Sequence, residues 1–167
     1  MAKLLVGSTV NGNLIWHDGG TSDREMTMVY QNISQSITTG AFTQMTFDTV
    51  KFDNIGTWVS SNNSMTIKKG GIYIIDGMVS WQNVTSGTRG VLEVRKNGVS
   101  ARWLDQSLAG SAKTFSVTGI VMMQLAVGDV ITLWGFQDTS GSMGTQLQAD
   151  QNSVNMPLTY FSIAKIA

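Results

Sequence analysis

From Ala41 onward, apolar side chains tend to recur at every second position, the spacing that lays one face of an extended strand on a core. In GIYIIDGMVSW, Tyr73, Ile75, Val79 and Trp81 share one face. Ile72, Ile74 and Met78 make the other face apolar too, interrupted by Asp76 and Ser80, which predicts a central strand covered on both sides. VLEVRKNGVSARW alternates Leu92 and Val94 with Glu93 and Arg95, then offers Asn97-Gly98, two residues that tolerate positive φ, and so predicts a hairpin. SVTGIVMMQLAVGDVITLWGF reads as a second hairpin, with Val117, Val121, Met123 and Leu125 leading to Gly128-Asp129 and Val130, Thr132, Trp134 and Phe136 leading away. LTYFSIAKIA predicts a last strand that closes a sheet, with the only proline, Pro157, just ahead of it, where a missing N–H does least harm. DREMTMVYQ has the length for a turn or two of helix, but Thr27, Val29 and Tyr30 favour a strand. Polar, glycine-bearing stretches at 85–89 and 138–155 read as exposed tips. Many short strands with regular turns and no sustained helical period predict an all-β chain folded as an antiparallel two-sheet sandwich.

Composition narrows the chemistry. The 167 residues suffice for one core. Charged residues are only 13% of the chain, and eleven basic side chains cancel eleven acidic ones, so no long-range field recruits nucleic acid or an anionic membrane. No cysteine is present, which removes disulfides, thiolate nucleophiles and cysteine-ligated metals, and leaves oligomerisation as a source of extra stability. No apolar run reaches the length of a signal peptide or a membrane span, which predicts a chain made and folded in the cytoplasm.

FDTVKFDNIGTW, MTIKKGGIYIIDGMVSW, RGVLEVRKNG and LAVGDVITLW, in that order, resemble a C1q/TNF-like jelly-roll domain of the kind found in bacteria and their phages. The resemblance rests on Phe47 and Phe52, on Gly71 and Tyr73, on Lys96-Asn97-Gly98, and on Leu125, Gly128 and Asp129, and spans about Gln31 to Ala167. It implies a homotrimer packed around a threefold axis through aromatic and aliphatic side chains, of a kind that binds proteins, glycans or surfaces and rarely catalyses a reaction. Five tryptophans and ten methionines are compatible with such an interface.

The opening stretch VNGNLIWHDGG is similar to a segment of the form VNGNxxWHxGN that recurs in phage tail-fibre and other virion proteins. Val10, Asn11, Gly12, Asn13, Trp16, His17 and Gly19 match, and Gly20 stands where Asn is usual. Asn11-Gly12-Asn13 predicts a turn, Leu14 to Trp16 a brief strand, and Asp18-Gly19-Gly20 a second turn, together a hairpin-like clip. The combined reading divides the chain into a virion-anchoring segment, 1–39, and a jelly-roll domain, 40–167. Its anchoring residues are Val10, Asn11, Gly12, Asn13, Trp16 and His17.

A catalytic His17 would need a nucleophile and an orienting acid converging on it, and the sequence offers no such set. Asp48, Asp53, Asp76, Glu93, Asp105, Asp129 and Asp138 could pair to cleave a polysaccharide, but none forms a sequence constellation. No Asp-rich loop has the density of a calcium site, so no cofactor or metal is expected. The expected protein is a non-enzymatic virion structural component, a short trimeric appendage of head, neck or tail displayed on the virion surface. Its partners would be other copies of itself and other virion proteins, with no nucleic acid and no membrane. The alternative is a receptor-binding tip that recognises host surface glycan, with Trp81 as stacking platform and Arg89 beside it.

Overall fold

The computed structural model describes residues 5–10 and 13–18 as backbone, and 25–110, 114–147 and 157–167 with their side chains. Its strands, in chain order, are β1 (Leu5–Val10), β2 (Asn13–Asp18), β3 (Met26–Tyr30), β4 (Ser36–Ile37), β5 (Thr43–Gln44), β6 (Thr49–Asp53), β7 (Trp58–Val59), β8 (Ser64–Thr66) and β9 (Gly71–Trp81). They continue with β10 (Arg89–Lys96), β11 (Val99–Leu108), β12 (Phe115–Leu125), β13 (Val130–Gln137), β14 (Met143–Gly144) and β15 (Tyr160–Lys165). One sheet runs β12-β9-β15-β3-β6; the other runs β11-β10-β13-β8-β7, with β5 also on β13. The strands pair antiparallel, as the alternating pattern predicted.

Between the sheets lie Val29, Ile75, Val79, Phe161 and Ile163 from the first and Leu92, Val94, Ile131 and Leu133 from the second. Loop residues complete the core. Phe47 stacks on Phe161 with ring centroids 6.0 Å apart and meets the edge of Trp58 at 6.1 Å. At the β11/β12 side the sheets approach so closely that a Cβ on Gly119 would lie 2.5 Å from the Leu104 carbonyl oxygen. Only glycine admits Leu104 there.

The Asn97-Gly98 hairpin forms as read, with φ of 54° and 80° at the two turn residues. Its tip is tied to the turn before β13: Val130 N–H donates to Asn97 Oδ1 at 2.8 Å, and Asn97 Nδ2 donates to Asp129 Oδ1 at 2.9 Å. Asp129 Oδ2 also accepts from the Ala126 amide at 2.8 Å and pairs with Lys96 Nζ at 2.7 Å. The Lys-Asn-Gly and Gly-Asp stretches are thus two halves of one hydrogen-bonded corner.

Four expectations are corrected. LAVGDV does not close a hairpin: β12 pairs with β9 and β13 with β10, so the turn carries the chain from one sheet to the other. The last strand does not close a sheet edge but inserts between β9 and β3. The 138–155 stretch is not wholly an exposed tip, because β14 pairs with β4 and Met143, Thr145 and Gln146 are buried; 148–156 lie outside the described residues. The sandwich also begins earlier than residue 40. DREMTMVYQ contributes β3, hydrogen-bonded between β15 and β6, and Val29 and Ile37 are fully buried in the core.

Candidate assembly face

Alternation along the sheet β12-β9-β15-β3-β6 sends one set of side chains into the core and the other set outward. The outward set is arranged in rows, because residues opposite one another on antiparallel strands share a face. One row runs Met122, Ile74, Ala164, Met26; the next runs Ile120, Asp76, Ser162, Met28, Phe52; a third runs Thr118, Met78, Tyr160, Tyr30. Ile120 and Met122 are 67% and 66% exposed, and Ile72 and Phe52 are 42% and 37% exposed. Apolar side chains grouped on one exposed sheet face are the mark of an interaction surface. The sequence predicted β9 to be central and covered on both faces: it is central, and among the described residues its outer face has no second layer.

Asp76 stands alone as a carboxylate in the middle row. Tyr160 Oη donates to its Oδ2 at 3.1 Å. Burial pushes the Asp76 carboxyl above the usual carboxylate range, against the hydrogen bonds from Tyr160 and from the Gly77 amide. The Tyr160 hydroxyl is raised in turn, by burial first and then by the Asp76 charge.

No sequence family and no curated protein matches the chain. Solved structures do. The globular domain of zebrafish complement 1qA is 16% identical, with 84% of this chain and 93% of that one covered at a TM-score of 0.53. Eiger TNF from S. frugiperda is 13% identical, with 86% and 93% covered at 0.59, and murine APRIL is 14% identical, with 86% and 100% covered at 0.58. The fold is a C1q/TNF-like jelly roll. Identities this low carry the architecture and nothing about ligands or partners.

Within this jelly roll the residues singled out from sequence are scattered. β1 and β2 form an antiparallel ladder of their own, with Val10 opposite Asn13, Gly7 opposite Trp16 and Val6 opposite His17. The strand expected at Leu14–Trp16 is longer, Asn13–Asp18. Asn11 and Gly12, at the expected first turn, and Gly19 and Gly20, at the second, lie outside the described residues.

Trp81 is not a platform. It is 0% exposed and stacks on Phe115 at 5.5 Å, because it lies on the inward alternation of β9 with Tyr73 and Val79. Arg89 opens β10 in the other sheet, where its guanidinium covers the Phe136 ring at 5.0 Å and its Nε lies 3.3 Å from Asp138 Oδ2. The two do not form one site.

The remaining carboxylates hold the protein together. Asp48 accepts the Asn32 and Ile33 amides. Asp53 accepts the Thr57 and Trp58 amides, Asp105 the Ser107 hydroxyl, and Asp138 the Arg89 amide. A cavity of about 630 Å³ opens beside β6 and β7, lined by Phe47, Trp58, Asp48, Gln35 and Asn63. Asp48, Gln35 and the Asn63 side-chain carbonyl in its wall already bond within the chain.

Among the described residues the exposed tryptophan is Trp103, not Trp81. Trp103, on β11, is 57% exposed, and its indole N–H donates to Glu93 Oε2 at 3.0 Å. Glu93 also accepts from Arg95, whose guanidinium lies 3.8 Å over the Trp134 ring. The pair was not readable from alternation, because an unshifted Asn97-Gly98 hairpin would set Glu93 opposite Arg102, and the register shift between Val94 and Arg95 brings Trp103 opposite Glu93 instead.

Proposed function

We propose that this chain is a non-enzymatic virion structural protein that acts as a homotrimer, a short surface appendage of a phage particle. The observation that carries the reading is the uncovered apolar face of the β12-β9-β15-β3-β6 sheet, on a chain whose first residues resemble a virion segment. A second and third copy supply the missing layer, and closed symmetry then leaves no such face open to further addition. The β1/β2 hairpin, bearing Trp16 and His17, is the fastening element that grips another virion protein of head, neck or tail. The sandwich projects outward. A C1q/TNF-like architecture fits this division, and the near-neutral surface fits a protein displayed among many copies of itself.

The test uses phage particles lacking the protein. Full-length chain should attach to them and a chain lacking residues 1–24 should not, while both sediment as trimers. Equal attachment of the two would remove the anchoring role.

Exposed Trp103, its indole held in one orientation by Glu93, favours a second reading in which the knob also stacks host-surface sugar. Trp103→Ala should then lose binding to host-envelope polysaccharide while remaining trimeric. Absence of binding by the unaltered protein to any host-envelope fraction would end that reading.

A further inference from the structure

A carboxylate in the centre of a surface that must lose its water is costly unless it is paired or protonated. Asp76 occupies that place, and among the described residues no cation shares its rows of the sheet face. Its own strand offers Ile74 and Met78 on this face; β12 offers Thr118, Ile120 and Met122; β15 offers Tyr160, Ser162 and Ala164; β3 offers Met28 and Tyr30. Among the described residues, the titratable groups facing it are therefore the tyrosines Tyr160 and Tyr30. Among the described residues of the sheet, Lys165 lies opposite core-facing Tyr73 and so on the other face. Lys51 stands in the bulge of edge strand β6, three strand spacings from β9, roughly 14 Å at the usual inter-strand distance.

We propose that assembly through this face is coupled to protonation of Asp76, so that acid tightens the oligomer and alkali loosens it. The inference rests on the assembly reading above and adds its regulation. The carboxyl already titrates high in the free protomer, and covering the face removes more of its water. A group whose pKa is higher in the assembly than in the protomer favours assembly fully below the protomer value. That contribution is lost as pH rises through the assembled value. Protonated, the Asp76 carboxyl keeps its place beside Tyr160, since either hydroxyl can donate to the other group's oxygen.

The experiment is sedimentation of the full chain across a dilution series from pH 5 to pH 9, beside Asp76→Asn and Tyr160→Phe. With three linked sites, the dissociation constant of the wild-type trimer should rise by up to about a thousandfold per pH unit within the titration window. Asp76→Asn, neutral and nearly the same shape, should remove that dependence and hold together at high pH under dilutions that separate the wild type. Tyr160→Phe, which deletes a hydrogen bond favouring the charged form, should move the wild-type profile to higher pH. Trimers of wild type and Asp76→Asn with the same pH profile would overturn the coupling while leaving assembly intact. A wild-type chain that is monomeric at every pH would overturn the assembly reading, and this one with it.

Discussion

Asp129 shows how much one side chain does at a corner. Its carboxylate binds the Lys96 ammonium first of all, then the Ala126 amide and the Asn97 amide group, and these bonds hold its pKa down to about 2. A depressed carboxylate pKa contributes stability above the unfolded-state value, about 3.9, and that stability is lost as pH falls through the folded value. Asp129→Asn should cost about 2 kcal/mol near neutrality, the range for hydrogen bonds to a charged group. Urea unfolding midpoints measured from pH 6 to pH 2 should fall more steeply for the wild type than for the variant; parallel curves would contradict the role. Trp81 teaches the opposite lesson. Its burial was legible from its alternation with Tyr73 and Val79, but its place beside a polar loop suggested a ligand platform. A strand's end belongs to the core when the alternation continues through it, whatever polar loop follows.

Among elements, the hairpin at Asn97-Gly98 was legible because both its residues carry the positive φ that the turn requires. The β12–β13 turn was not, since Gly128 and an aspartate suit a crossover between sheets as well as a hairpin, and periodicity does not record which strand is the neighbour. The start of the sandwich was hidden for a related reason. β3 is short, and only its pairing with β15, more than a hundred residues later, shows that it is internal to a sheet. This fixes where the chain can be cut. Removal of residues 1–24 should leave the thermal midpoint of the sandwich unchanged. Removal of 1–39 should abolish cooperative unfolding, because it takes away β3, Val29 and Ile37 and leaves β15 and β6 without the strand between them. Circular dichroism melts of the two truncations distinguish these outcomes, and a cooperative melt after the longer cut would show that β3 is dispensable.

For the whole molecule, the apolar second face of GIYIIDGMVSW was visible in the sequence, but what covers it was not, since a second sheet and a second subunit leave the same period-two pattern. The fold answers half of that question by placing the other sheet against the opposite side, so that Ile120, Met122, Ile72 and Phe52 face outward together. Burying one such side chain is worth about 2 kcal/mol, so a few of them decide between dispersal and assembly. The direct measurement is the solution mass of the full chain beside the double variant Ile120→Asp, Met122→Asp, by sedimentation equilibrium at mildly acidic pH. The expected result is three times the 18.0 kDa chain mass for the wild type and a folded 18.0 kDa monomer for the variant. A wild-type monomer, or a trimer that both aspartates leave intact, would contradict assembly through this face.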